Sequence, residues 1–204
     1  MNGRRITLSL MAFASSSRLF ISPAAADCLI AGSVSAAPST TQSCLGAWEY
    51  TLSLTWDTGT RYALSHFDLL IAHPGGNCNC QNLNQALNWL SPIGISSGEP
   101  AGCSVSYEGF LNCTGDPSID ITDLLLKFEP IESADCKPGT TGQGTYTFFS
   151  AYPPAPISEP NLSLVDKFGQ LVCYGPLTGV FPGLPCDPTA TEARSWGSQK
   201  ASYR

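Results

Sequence analysis

The sequence predicts an all-β fold, and three observations carry that expectation. From Trp48 to Trp56 large apolar residues alternate strictly with Glu49, Thr51, Ser53 and Thr55, the period of a strand with one buried face. Clusters of Gly, Pro, Ser, Asn and Asp at 91–100, 112–117, 137–144 and 153–160 cut the rest of the chain into segments of strand length. Nine cysteines, all beyond residue 26, suit an exported domain held by disulfides. Together they describe an antiparallel immunoglobulin-like β-sandwich, disulfide-stapled, with at most one short helix.

Taken in order, residues 1–26 open with Arg4 and Arg5, run through an apolar stretch from Ile6 to Ala14 and end in Ala24, Ala25 and Ala26. That is the layout of a secretory signal peptide cleaved after Ala26. The apolar stretch is shorter than the roughly 20 residues a membrane span needs, so no span is expected in the mature chain. Asp27 stands where a lipoprotein signal would have a small residue, which argues against a lipid on Cys28. Residues 27–43, small and polar, read as a leader strand or N-terminal arm. The strand at 48–56 leads into the turn residues Asp57 to Thr60, and Arg61 to Ile71 returns as a second strand, so the pair reads as a hairpin. Asn82 to Leu90 sets Leu83, Leu87 and Leu90 on one helical face. Further strands are expected at 103–113, 124–131, 145–152, 162–165 and 170–174. The sandwich domain therefore spans 44–186, and 187–204 is a polar tail carrying Trp196 and Tyr203.

Charge narrows the function. Removing residues 1–26 takes Arg4, Arg5 and Arg18 and no acid from a chain with 10 basic and 16 acidic residues, so the net charge moves from −6 to −9. A chain so acidic is a poor partner for nucleic acid or an anionic membrane. The cysteines expected in disulfides are Cys44, Cys78, Cys80, Cys103, Cys113, Cys136, Cys173 and Cys186, with Cys28 and Cys186 the first candidates for the odd, unpaired thiol.

The stretch 64–80 gathers His66, Asp68, His73, Cys78 and Cys80. Strand parity puts His66 and Asp68 on one face and His73 on the other, roughly 23 Å along a straight strand, too far for one metal. His73 with Cys78 and Cys80 lacks a clear fourth ligand, and export favours disulfides over zinc there. His66 beside Asp68 remains as the polar pair and the candidate binding residues. Gly94 to Gly98 matches the G-x-S-x-G nucleophile elbow around Ser96, but both histidines precede the serine and no strand–helix alternation surrounds it. No catalytic residue is expected; a hydrolase would require Ser96 within hydrogen-bond reach of His66 or His73. Asp116, Asp120 and Asp123 are calcium candidates, though turn-forming and strand-ending aspartates explain the same pattern. Trp48, Tyr50 and Trp56 would make a sugar-stacking platform if exposed, but their alternation with Leu52 and Leu54 assigns them to the core. Asn112-Cys113-Thr114 and Asn161-Leu162-Ser163 fit the glycosylation sequon.

Residues 48–78, through Trp48, Tyr50, Gly59, Leu64, Ser65, His66, Phe67 and Cys78, resemble the opening of extracellular immunoglobulin-like β-sandwich modules in bacterial secreted or surface proteins. The resemblance implies a non-catalytic structural or adhesive module without a cofactor. The expectation is thus a secreted or cell-surface recognition module with a protein or glycan partner. A carbohydrate- or small-ligand-binding module, calcium-dependent or not, is the alternative, ahead of a secreted hydrolase.

Overall fold

The computed structural model describes residues 28–59, 61–70, 80–87, 90–120, 122, 124–131, 133–157, 163–169 and 171–183. The signal segment, His73, Cys78, Asp123, the sequon at Asn161, Cys186 and the tail lie outside these residues. In chain order the elements are β1 (Leu29–Pro38), a 3₁₀ turn (Gln42–Cys44), β2 (Trp48–Asp57), β3 (His66–Leu70), α1 (Cys80–Leu87), β4 (Ile93–Glu99) and β5 (Ser104–Asn112). A second 3₁₀ turn (Pro117–Ile119) is followed by β6 (Leu125–Ile131), β7 (Lys137–Pro138), β8 (Thr141–Ser150), β9 (Pro154–Pro156), β10 (Ser163–Phe168), β11 (Leu171–Gly175) and β12 (Leu177–Pro182).

The all-β expectation holds. The strands form one continuous hydrogen-bonded order, β11-β10-β3-β6-β5-β4-β8-β2-β1-β12-β9, with β7 beside β4. It is mixed: β1 runs parallel to β12, whereas the other strand pairs among the described residues are antiparallel. Only Pro176 separates β11 from β12, and Gly32 N–H donates to its carbonyl at 3.0 Å. The sheet therefore curls until its β11 end meets β1, and Cys28–Cys173 ties the two together with Cα atoms 6.3 Å apart. At this level the structure is a single curled sheet rather than two separately bonded layers.

Two local expectations change. β2 does not pair with β3: it lies between β1 and β8, each along ten residues, while β3 sits between β6 and β10. The reason is length. β1 matches β2 from Leu29 opposite Asp57 to Pro38 opposite Trp48, a longer ladder than the five residues of β3 can offer. Of the two readings of residues 27–43, leader strand or arm, the strand is found: β1 lies inside the sheet between β2 and β12. β4 also emerges where turn chemistry suggested a loop.

The core fills the inside of the curl. β2 contributes Tyr50, Leu52, Leu54 and Trp56, all at most 3% exposed, as its alternation demands. Phe67, Tyr107, Phe128 and Tyr146 meet from β3, β5, β6 and β8; the Phe67 and Phe128 rings stack at 4.8 Å and Tyr146 stands edge-on to Phe67 at 4.5 Å. α1 adds Leu83, Ala86 and Leu87 to the same core. Room for these rings is made by glycine: a Cβ at Gly94 would run into the Tyr146 ring directly opposite.

Candidate functional site

β3 is buried on both faces, which is unusual for a strand carrying His66 and Asp68. Phe67 and Leu69 point into the core, while His66 (5% exposed) and Asp68 (0%) lie on the outer face under the segment that follows β5. The register sets Asp68 directly opposite Lys127 of β6. Lys127 is the single cation of an otherwise apolar or acidic strand, with Leu125 and Glu129 on its face and Leu126 and Phe128 on the other. A lone acid and a lone base in facing apolar strands are thus paired by register.

The cover is built locally. Cys113, at the end of β5, is bonded to Cys80 at the start of α1, with Cα atoms 5.4 Å apart. Asp116 then caps the Pro117–Ile119 turn: its Oδ1 accepts from Ser118 N–H at 2.8 Å, Pro117 stands at the first position, and Asp120 closes the turn with φ 57°. Ile119 (6% exposed) anchors the turn, and the cap leaves Asp116 Oδ2 facing β3 and β6.

Five charged or titratable groups meet there. Lys127 Nζ donates to Asp116 Oδ2 at 2.6 Å and lies 2.7 Å from Glu129 Oε1. His66 Nε2 is 3.1 Å from Asp116 Oδ2 and 3.5 Å from Asp68 Oδ2. Burial alone would push the Asp116 carboxyl up, but hydrogen bonds from Lys127 and Ser118, with the charge of Lys127, outweigh it and hold the group well below the usual carboxylate range. Burial would likewise lower Lys127, and its hydrogen bonds to Asp116 and Glu129 reverse this and raise it. One ligand atom each from His66, Asp68 and Asp116 lies within 4.8 Å of the others.

Protein-family models, curated proteins and solved structures were compared with the chain, and none matches it. The site must therefore be read from its own chemistry.

Sequence reasoning joined His66 to Asp68 but assigned Asp116 to a different set. Of the calcium candidates, Asp116 lies against Lys127 and His66, Asp120 is exposed at the turn's end, and Asp123 is outside the described residues. Calcium takes six to eight oxygen ligands, more than the carboxylates of Asp68 and Asp116 bring together beside His66. Lys127 and Glu129 were missed; the signal was a charge pair placed at strand parity within the run Leu125–Ile131.

Among the described residues Ser96 meets no histidine. It is 4% exposed, on the inner face of β4, and its Oγ donates to Ser97 O at 2.9 Å and shares a hydroxyl–hydroxyl bond with Tyr107 Oη at 3.1 Å, whereas His66 lies on the outer face of β3. The flanking glycines have packing duties: Gly94 faces the Tyr146 ring, and a Cβ at Gly98 would meet the sulfurs of Cys103 and Cys136. Those two cysteines form a disulfide, with Cα atoms 5.9 Å apart. The sugar platform is absent too, since Tyr50 and Trp56 are buried, their polar atoms donating to Tyr152 O at 2.8 Å and Gly139 O at 3.1 Å.

The cysteine expectations need two corrections. Cys28 is not the odd thiol, because β1 carries it against β11 and Cys173. Cys44, expected in a disulfide, is a free cysteine at the end of the first 3₁₀ turn, fully buried against Ala47 and Phe149. Cys80 is in a disulfide and so cannot serve the zinc set weighed with His73 and Cys78.

Proposed function

We propose that the chain is a secreted or cell-surface, non-catalytic, immunoglobulin-like module with a structural or adhesive role. The observation that supports this is the outer face of five neighbouring strands, β5-β4-β8-β2-β1, which contain no Lys or Arg. The face is studded with Ser and Thr, as at Ser33, Ser53 and Thr145, which align across strands, and the row continues to Ile95, Ser106 and Ile131. Ile93, Ile95 and Ile131 are 60%, 54% and 57% exposed. Grouped exposed apolar side chains in a polar surround are a mark of recognition surfaces. Shallow grooves beside them are lined by Ser53, Thr55, Ile95, Ser97, Gln143 and Thr145.

Three disulfides support a place outside the cytoplasm. No helix among the described residues is long and apolar enough to cross a membrane. The test has two parts. Residues 1–26 fused to a reporter active only outside the cytoplasm should give activity there, and cytoplasmic retention would overturn the location. The oxidised domain should bind intact cells of its source, and the I93K/I95K variant should not; no binding by the unaltered domain, or equal binding by both, would overturn the recognition role.

A further inference from the structure

Two carboxylates converge on one imidazole nitrogen in a buried site, and the geometry of that convergence is that of a metal shell. Tetrahedral zinc bonds nitrogen and oxygen ligands at about 2.0–2.1 Å, which separates neighbouring ligand atoms by roughly 3.4 Å. His66 Nε2 stands 3.1 Å from Asp116 Oδ2 and 3.5 Å from Asp68 Oδ2, and all three atoms lie within 4.8 Å. The three residues are 5%, 2% and 0% exposed, so the geometry is held by packing on both sides rather than by solvated, mobile side chains.

We propose that His66, Asp68 and Asp116 bind a divalent transition-metal ion of the zinc class. Imidazole with two carboxylates suits zinc and its neighbours; calcium would need more oxygens, and magnesium would keep its water shell. Three protein ligands leave a fourth tetrahedral position for water or a small anion. Lys127 is the competitor, since its ammonium sits 2.6 Å from the oxygen the metal would take. It has somewhere to go: Glu129 Oε1 is already 2.7 Å from Nζ, and the Glu129 side chain is 42% exposed. Metal arrival at Asp116 is therefore coupled to transfer of Lys127 onto Glu129. The ion then fastens the segment after β5 to β3, where Lys127 had fastened it to β6.

The test uses the oxidised full-length mature protein, stripped with chelator and titrated with Co²⁺, then Zn²⁺. A 1:1 complex with the visible d–d spectrum of tetrahedral cobalt, displaced by zinc, is expected. H66A and D68N should each abolish that band. K127M keeps all three ligands and removes the competitor, so it should bind at least about tenfold more tightly, a gain that a merely structural polar cluster would not produce. Far-UV circular dichroism reports folding, and if H66A or D68N fails to fold, K127M and H66Q decide. No 1:1 binding, binding unchanged in folded H66A, H66Q or D68N, K127M binding no tighter, or a sulfur-to-cobalt charge-transfer band placing the ion on cysteine would each overturn the site.

Discussion

At the residue scale the Asp116–Lys127 pair governs how stability responds to pH. Asp116 titrates lower folded than unfolded, so its contribution is present above its unfolded value, about 3.9, and is lost as pH falls through the folded one. Lys127 titrates higher folded than unfolded; its contribution is present below about 10.4 and is lost as pH rises through the folded value. In chelator, D116N should destabilise the protein at neutral pH by about 1.5–3 kcal/mol, because Lys127 loses a buried charge-assisted partner and keeps only the half-exposed Glu129. It should also flatten the acid limb of a urea-melt series below about pH 4. K127M should flatten the alkaline limb. A glycine offers a second test: G94A drives a methyl into the Tyr146 ring, and an overpacking loss of about 1–3 kcal/mol is expected in thermal or urea melts.

At the element scale the legible and illegible parts of the fold separate cleanly. β2 and β5 show their alternation openly, and Leu83 and Leu87 identify α1. β4 was hidden because Gly94 and Gly98 read as turn residues, whereas the sheet uses them to admit an aromatic ring and a disulfide. The pairing of β2 with β1 was hidden because residues such as Ala31, Ser33 and Ser35 carry little hydrophobic signal. They form the outer face of a strand whose inner face is Ile30 and Val34. Half the site was visible as His66 beside Asp68. Asp116 was visible as a turn former and a calcium candidate but not as a partner of His66, and its arrival there depends on the cap after β5, a tertiary event. That cap is pinned by Cys80–Cys113, so C80S/C113S should raise hydrogen exchange in 113–120 and α1 while β2 and β8 stay protected.

At the scale of the whole molecule the disulfides act as long-range closures. Cys28–Cys173 spans a separation of 145 residues, for which loop-closure entropy sets a stabilisation of about 5 kcal/mol. C28S/C173S should lose stability up to that amount in denaturant melts. The buried Cys44 thiol gives an independent check of packing: in the oxidised protein it should resist alkylation until denaturant is added, then react. A Cys44 thiol that reacts at full rate in the native protein would contradict its burial.

The parallel contact between β1 and β12 has a consequence for how the chain comes to be folded at all. β1 is among the first described segments to be synthesised, yet one of its edges is completed only by Leu177–Pro182, among the last. Until those residues arrive, the backbone groups of Gly32, Ser33 and Val34 present an open edge that any other strand can join. A chain ending at Pro176 should therefore self-associate at concentrations where the complete chain stays monomeric. Closure of β1 against β12 cannot precede the synthesis of Leu177–Pro182, a pairing across roughly 140 residues that only late, long-range contact can form.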